Sequence, residues 1–357
     1  MSKYIEVNGR RIGEGYPTYI IAEMSANHLQ DYERAKKIIS AAKKAGADAI
    51  KLQSYRPDTI TIDCQGEEFM ATKGSLWEGQ NLYQLYEKAY MPWEWHEGLF
   101  KYARKIGIEI FSSPFDFTAV DLLESLDVPV YKIASYEILD IPLIKRCASL
   151  GKPIILSTGI ATLADIERAV EACKSVGNND IAILKCVSQY PAPYKDLNLR
   201  TIPHMAETFD CITGLSDHSM GSAVDVCAVS IGAHIIEKHM TLRRSDGGPD
   251  GAFSMEPEEF AAMVEDIHNV ENALGVVTYN LTEVQKNGKK HARSLYVVSD
   301  IKAGETFTKD NVKSIRPGCG LSTWYYDEII GKKAMVDIKK GTCLLYTSPS
   351  PRDISGS

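Results

Sequence analysis

The chain has 357 residues, of which 44% are hydrophobic and 24% are charged, and its formal net charge is -7 at pH 7. This length suits one large domain followed by a small one, and this composition is typical of a soluble globular enzyme. The acidic balance argues against a nucleic-acid partner, which requires clustered Lys and Arg, and no apolar run approaches the ~20 residues of a membrane helix.

The opening residues, MSKYIEVNGRRIGEG, contain no apolar segment typical of a signal peptide, so we expect a cytoplasmic protein with no membrane partner. From residue 18 to residue 275, short apolar runs alternate with longer stretches of helical spacing. The eight runs are TYIIAEMS, DAIKLQSY, IEIFSSPF, PVYKIASY, PIILSTG, IAILKCVSQY, CITGLSDH and AHIIEKHM. They predict an α/β fold in which residues 1–275 form a (β/α)8 TIM barrel. A doubly wound open sheet is the alternative, but no GxGxxG follows the first strand.

Beyond Gly275 the pattern changes. Residues 276–291 are polar and are predicted to form a linker, and residues 292–344 contain short strand runs with turn residues. In this region DIKAG (300–304) recurs as DIKKG (337–341), which indicates a small β-rich domain. Residues 343–357 shift abruptly to Ser and Pro, and we interpret them as a non-native tail.

Polar residues at the ends of the runs carry the functional information, because the catalytic face of a β/α barrel lies at the C-terminal ends of its strands. Side chains alternate along a strand, so residues two apart share a face. The pairs predicted to share a face are Lys51 with Gln53, Ser216 with His218, and Glu237 with His239. Lys238 is predicted to face the surrounding helices. Other strand ends contribute Glu23, Lys132, Ser135 and Ser157.

The predicted barrel mouth carries four charged side chains, those of Glu23, Lys51, Lys132 and Glu237. An unpaired charge in such an interior costs on the order of several kcal/mol, so these groups must pair with each other or bind a ligand. The two lysines among them suit a small polyanion. Serine hydroxyls at strand ends can donate hydrogen bonds to phosphate or carboxylate oxygens, and the candidates are Ser113, Ser135, Ser157 and Ser216.

Two histidines, His218 and His239, end neighbouring strands. These strands lie about 4.8 Å apart, so two neutral imidazoles there can converge on a metal ion. A hydrogen-bonded structural role for both is equally compatible with the sequence. Two histidines without a third protein ligand would leave open positions for water and substrate, which suits a catalytic metal site.

A different enzyme class stays open at this point. Lys185 lies within the sixth run, where the Schiff-base lysine of an aldolase can sit, and such an enzyme needs no metal. The aromatic stretch LWEGQNLYQLYEKAYMPWEWH follows helical spacing and is predicted mainly to pack against the barrel. Its Trp77, Trp93 and Trp95 are candidates for an apolar side of a substrate pocket.

The chain resembles the sialic acid synthase family. The motifs that carry the resemblance are IIAEMSANH, IKLQSY, YKIASYE, ILSTG, QYPAPY, GLSDHS, EKHMT and GGPDGAFSM, in this order and followed by SIRPGCGL. EMSANH and the aromatic stretch most resemble the branch whose sugar substrate is a 2,4-diacetamido-2,4,6-trideoxy hexose. N-acetylmannosamine or the sugar of a legionaminate synthase is the alternative.

This resemblance implies a condensation of phosphoenolpyruvate with an open-chain N-acetylated amino sugar, which releases phosphate and forms a nine-carbon keto acid. It also implies a divalent metal, Mn²⁺ or else Mg²⁺ or Co²⁺, held by His218 and His239. The positions that match phosphoenolpyruvate ligands are Lys51, Lys132, Ser135, Ser157, Ser188 and Ser216, although the sialic branch commonly has Asn in place of Ser188. The positions that match sugar-side or catalytic residues are Glu23, Gln53, Tyr190, Glu237 and Asp250.

The C-terminal unit resembles an antifreeze-like, or SAF, domain. The resemblance implies a domain-swapped homodimer in which Arg316 reaches the site of the other subunit. Ice binding is a further reading of such a domain, but its attachment to a barrel with a charged mouth favours the enzyme.

Overall fold

The structure, a computed structural model, describes residues 3–71 and 77–345. The chain divides into two compact units, Met1–Gly275 and Val276–Ser357. Residues 346–357 of the segment predicted to be a non-native tail lie outside the described residues. No helix in the described part of the chain is long and apolar enough to cross a membrane.

An antiparallel hairpin, β1 (Tyr4–Val7) and β2 (Arg10–Gly13), precedes the barrel. Its turn residues Asn8 and Gly9 have φ of 47° and 80°, the left-handed conformation that an Asn-Gly turn favours. Ile5 and Val7 of β1 and Ile12 of β2 are buried in the apolar core of the first unit. This hairpin was not predicted from the sequence.

Eight parallel strands close the first unit into a barrel in the order β10-β3-β4-β5-β6-β7-β8-β9. The strands are β3 (Tyr19–Glu23), β4 (Ala49–Ser54), β5 (Glu109–Pro114), β6 (Tyr131–Ile133), β7 (Ile154–Ser157), β8 (Ile181–Cys186), β9 (Ile212–Asp217) and β10 (Ile235–His239). Each of the eight predicted runs contains one of these strands, so the predicted TIM barrel is confirmed.

Helices of the first unit connect and surround the strands. They are α1 (Tyr32–Lys44), α2 (Pro57–Ile60), α3 (Leu82–Ala89), α4 (Trp93–Ile106), α5 (Phe117–Ser125), α6 (Ile141–Ala148), α7 (Leu163–Lys174), α8 (Thr201–Phe209), α9 (Ala223–Ser230) and α10 (Pro257–Leu274). The predicted capping box begins α7, where the Thr162 and Asp165 side chains bond each other's backbone N–H groups. Gly275, with φ of 51°, ends α10.

The second unit has its own small core. It contains α11 (Glu283–Gly288), β11 (Ser294–Val297), β12 (Val312–Ile315) and α12 (Tyr326–Ile329), and β11 pairs antiparallel with β12. Buried apolar side chains hold it together, among them Leu295, Val297, Ile301, Phe307 and Val312. Leu344 donates its backbone N–H to the Leu295 carbonyl, so the chain packs on this unit as far as that residue. The non-native origin of 343–357 stays a prediction.

The two DIK repeats lie against each other. Ile301 and Ile338 exchange both backbone hydrogen bonds at 2.8 Å. Their neighbours form reciprocal ion pairs, with Lys302 Nζ 2.8 Å from an Asp337 oxygen and Lys339 Nζ 2.8 Å from an Asp300 oxygen. These pairs are exposed, so each contributes at most about 1 kcal/mol.

Candidate active site

Four buried charges meet inside the barrel at the C-terminal ends of its strands. Lys51 Nζ lies 2.6 Å from Glu23 Oε2 and 3.6 Å from Glu237 Oε1, and Lys132 Nζ lies 3.5 Å from the same Glu237 oxygen. All four side chains are buried. Two lysines and two glutamates thus form one neutral cluster, which removes most of the cost of burying each charge alone.

The surroundings of Glu23 and Glu237 shift the pKa values of their carboxyl groups in opposite directions. Burial raises the pKa of Glu23, although Lys51 opposes this shift. Burial also opposes ionisation of Glu237, but the ammonium groups of Lys132 and Lys51 outweigh it and hold the pKa of this carboxyl below its usual range. Burial lowers the pKa of Lys132. Glu23 is therefore the better proton carrier, and Glu237 stays ionised.

The predicted serines lie around this cluster. Lys132 Nζ donates to Ser157 Oγ at 2.7 Å and Lys51 Nζ contacts Ser113 Oγ at 3.4 Å. Ser216 Oγ donates to Glu237 Oε1 at 3.2 Å. The structure thus places three of the predicted hydroxyls directly on the four charges.

Ser135 and Ser188 form a cradle with Gly159, which follows β7. Gly159 N–H donates to Ser135 Oγ at 3.2 Å, and Ser188 Oγ is buried with no hydrogen-bond partner in the described residues. A methyl group at Gly159 would lie 2.0 Å from Ser188 Oγ and 2.6 Å from Ser135 Oγ. Only glycine leaves both hydroxyls open to a ligand.

His218 and His239 lie side by side, with ring centroids 5.2 Å apart. The Nδ1 of His218 is 2.9 Å from the Val187 carbonyl, so it carries the proton and leaves Nε2 as the free ligand atom. The Nδ1 of His239 is buried without a hydrogen-bond partner among the described residues. Burial lowers the pKa of His239 well below its usual range, which keeps the imidazole neutral. In the described ranges no group of three or more His, Cys, Asp or Glu side chains is arranged to hold a metal ion.

An aromatic wall stands beside the histidines. The Tyr190 ring lies 4.3 Å from His218 and 5.1 Å from Phe253, and Phe253 lies 5.0 Å from His239. Trp77 extends the wall, with its ring 5.9 Å from Tyr190. Trp93 and Trp95 contribute to packing instead, because Trp93 bonds the Tyr55 carbonyl and Trp95 contacts Tyr32.

Asp250 positions the chain that follows β3. Its carboxylate accepts hydrogen bonds from Ser25 Oγ at 2.5 Å and from the Ala26 N–H at 3.2 Å. Gln53 Nε2 donates to Ser25 Oγ at 3.0 Å and to Glu23 Oε1 at 2.9 Å. These bonds fix the orientation of the Glu23 carboxyl.

Two residues that the sequence offered as site candidates, Lys185 and Arg316, are not among the described residues that line the barrel interior. Lys185 pairs in register with Leu215, on the face of β8 opposite Cys186, and its Nζ donates to the Cys186 carbonyl. It therefore does not enter the barrel interior, which argues against a Schiff-base aldolase. Arg316 lies in the second unit, exposed directly after β12.

Three residues at the site were missed from sequence. Glu137 follows β6 in a 3-10 turn, and burial raises the pKa of its carboxyl to about 7. Phe253 belongs to the aromatic wall. Cys186 Sγ lies 3.8 Å from His218 Nδ1, and although burial opposes its ionisation, His218 and Ser135 bring its pKa to about 7. Of these, only Cys186 follows strand alternation, two residues before Ser188.

Comparisons with known proteins cover both units. The NeuB family matches residues 38–279, and the SAF domain matches residues 292–347. The chain is 46% identical over 329 residues to pseudaminic acid synthase of Helicobacter pylori, which is 92% of this chain and 96% of that protein. It is 36% identical over 327 residues to N,N'-diacetyllegionaminic acid synthase of Campylobacter jejuni, or 90% of this chain and 97% of that protein. The solved N-acetylneuraminic acid synthetase of Leptospira borgpetersenii is similar with a TM-score of 0.71 and 32% identity, covering 81% of this chain and 95% of that chain.

Proposed function

The chain belongs to the NeuB family, and we propose that it condenses phosphoenolpyruvate with 2,4-diacetamido-2,4,6-trideoxy-altrose and releases phosphate. The product is a nine-carbon keto sugar acid, and the enzyme is a transferase of the phosphoenolpyruvate-dependent condensing class. One observation carries the proposal: Lys51 and Lys132 are buried, donate to serine hydroxyls and pair with Glu237, two residues before His239 on β10. The identity of 46% to pseudaminic acid synthase favours this sugar over that of the legionaminic relative at 36%.

Phosphoenolpyruvate is a small polyanion, and the site supplies what such a ligand needs. Lys132 and Lys51 provide positive charge, and the cradle of Ser135, Ser188 and Gly159 offers the Ser188 hydroxyl, which has no partner among the described residues, to a phosphate or carboxylate oxygen. Without a ligand, Lys51 pairs with Glu23 and Glu237, and Lys132 pairs with Glu237. We therefore assign the phosphoenolpyruvate site to this side of the barrel mouth.

The histidine pair fits a divalent ion. One imidazole is held by a backbone carbonyl so that Nε2 is free, and the other has a buried nitrogen with no partner among the described residues. We propose that His218 and His239 hold Mn²⁺, with Mg²⁺ or Co²⁺ as alternatives. When bound, such an ion polarises the aldehyde oxygen of the sugar.

The chain's own residues then account for the remaining chemistry. A bond forms between C3 of phosphoenolpyruvate and the aldehyde carbon, water adds at C2, and phosphate leaves. The proton that the water loses balances the proton that the aldehyde oxygen gains. We assign its transfer to the Glu23 carboxyl, because burial favours its protonated form and Gln53 fixes its orientation. Glu237, which stays ionised, holds both lysines in place.

The aromatic wall supports a 6-deoxy sugar. Tyr190 and Phe253 present apolar surface next to the histidine pair, where a methyl group gains from burial and a hydroxyl would lose its water. N-acetylmannosamine presents a hydroxyl at that carbon. We therefore expect discrimination against it.

We also propose a homodimer in which Arg316 of one subunit completes the site of the other. In support, apolar side chains are exposed on the loops and helix starts that follow β5 to β9, at the catalytic end of the barrel. They are Phe117, Tyr136, Leu139, Ile160, Leu163, Tyr194 and Met220. Exposed apolar surface of this kind marks an interaction site.

Product analysis tests the reaction directly. Purified protein supplied with phosphoenolpyruvate, the diacetamido sugar and Mn²⁺ is expected to form a nine-carbon keto acid, identified by mass spectrometry, with equimolar phosphate. Lys132→Met is expected to abolish both. Phosphate release without the sugar, or no product with all three components, would refute the proposal.

A further inference from the structure

Lys238 lies on the outer side of the barrel wall, between β10 and the chain that follows β9. Its side chain is 1% exposed. Its ammonium donates to an Asp217 carboxylate oxygen, to the Ser219 carbonyl at 2.8 Å, to the Gly221 carbonyl at 2.9 Å and to Asp225 Oδ2 at 3.2 Å. One buried cation thus ties the end of β9, the following turn and α9 to β10.

Two residues of this network adjoin the two histidines along the chain. Lys238 immediately precedes His239, and Asp217 immediately precedes His218. The Asp217 carboxylate also accepts hydrogen bonds from Ser219, from its N–H at 2.9 Å and from its hydroxyl at 2.8 Å. The Asp217 carboxylate therefore fixes the backbone on both sides of His218. Lys238, the residue next to His239, fixes that carboxylate in turn.

Packing alone does not explain a lysine here. On the β3 side Lys238 pairs in register with Ala22 and its strand neighbour Ile236 pairs with Ile20, so that side is apolar, whereas on the β9 side Lys238 pairs with Asp217. An apolar side chain would avoid the desolvation cost of a buried ammonium but would leave the buried Asp217 carboxylate without its cation. The charge of Lys238 is therefore coupled to the carboxylate of Asp217, the residue before His218.

We propose that Lys238 is a positioning residue for the metal site, which sets the distance between His218 and His239 through Asp217. The inference rests on the proposed metal role of the two histidines. Positioning requires that the Lys238–Asp217 contact hold the two strand ends together, whereas anchoring of α9 requires only the contact with Asp225.

The direction in which Lys238→Met changes the affinity for Mn²⁺ separates a positioning role from a purely electrostatic one. Replacement of Lys238 by Met removes a positive charge near a bound cation, which by Coulomb's law strengthens cation binding. Loss of positioning weakens it. We expect Lys238→Met to lower Mn²⁺ affinity at least about tenfold, the range seen when residues that orient metal ligands are removed. Lys238→Arg, which keeps charge and donors, is expected to recover most of that loss.

A matched pair of variants tests the route. Asp217→Asn and Asp225→Asn each replace a carboxyl group that contacts the Lys238 ammonium by an amide of the same shape, but only Asp217 is joined to a histidine of the pair. Burial raises the pKa of Asp225 to about 8, so its carboxyl is largely protonated at pH 7 and Asn resembles it. We expect Asp217→Asn to weaken Mn²⁺ binding about tenfold or more and Asp225→Asn to leave it close to that of the unchanged chain.

Calorimetric titration of the metal-free full chain with Mn²⁺ at pH 7 measures these affinities. Thermal unfolding of the same samples reports folding, and the absorption spectrum with Co²⁺ reports ligand geometry. If Lys238→Met does not fold, the aspartate pair decides together with the Co²⁺ spectrum, because loss of the Asp217 charge alone weakens binding without a change in ligand geometry. Equal affinities for Asp217→Asn and Asp225→Asn, or a folded Lys238→Met that binds Mn²⁺ as tightly as the unchanged chain, would overturn the role of Lys238. No Mn²⁺ binding by the unchanged chain would instead refute the metal assignment itself, and the inference with it.

Discussion

Glu137 provides a stability test that is independent of the reaction. Its carboxyl lies in the turn after β6, with one oxygen buried and without a hydrogen-bond partner among the described residues. Burial raises its pKa from 4.5 to about 7. The change Glu137→Gln keeps the shape of the side chain and removes its ionisation.

The magnitude follows from linkage. Between pH 4.5 and pH 7 the unfolded chain releases this proton while the folded chain keeps it, so the free energy of unfolding falls as the pH rises. The full cost of ionisation is about 3 kcal/mol, and about 2.5 kcal/mol of it falls between pH 5 and pH 8. From pH 5 to pH 8, the free energy of unfolding of Glu137→Gln is therefore expected to rise by about 2.5 kcal/mol relative to that of the unchanged chain.

Urea unfolding followed by circular dichroism at pH 5, 6, 7 and 8 measures this difference. Glu167→Gln, a change of the same kind at an exposed position of α7, is the control and is expected to follow the unchanged chain at every pH. A Glu137→Gln difference that does not vary with pH would refute the reasoning that burial controls this carboxyl.

Further variants probe the site. His218→Ala is expected to abolish metal-dependent turnover with thermal unfolding little changed, and full activity after exhaustive chelation would contradict this. Lys132→Met removes a charge-assisted contact worth about 1.5–3 kcal/mol, so phosphoenolpyruvate should bind about tenfold to 100-fold more weakly by calorimetry; unchanged binding would refute the assignment. Gly159→Ala fills the serine cradle and is expected to raise the KM for phosphoenolpyruvate more than that for the sugar, whereas equal effects would place the anion elsewhere. Arg316→Ala is expected to lower kcat while the chain still folds, and wild-type kcat would exclude Arg316 from the site.

Strand alternation predicted much of the site because the residues concerned lie in or directly after regular strands. Glu237 and His239 face the interior and Lys238 faces the helices, as their parity indicates. The same argument does not reach Glu137 or Phe253, which lie in 3-10 turns where alternate residues share no face. Only the folded chain brings such turns to the barrel mouth.

The sequence also did not predict which charged side chains of the site pair with each other. The residue types predicted that charges at the mouth must pair or bind a ligand, but not that Lys51 would bridge Glu23 and Glu237. That choice depends on which strand ends lie side by side once the barrel closes. The first hairpin differs in this respect, because its Asn8-Gly9 turn is a local signal that the sequence contains.

One comparison of rates tests the proposed reaction and its sugar together. Initial rates of phosphate release from phosphoenolpyruvate, with 2,4-diacetamido-2,4,6-trideoxy-altrose or N-acetylmannosamine at varied concentration, give kcat/KM for each sugar. One buried methyl group is worth about 1–3 kcal/mol, so we expect the diacetamido sugar to be preferred by at least about tenfold. Equal or higher kcat/KM for N-acetylmannosamine would contradict the account.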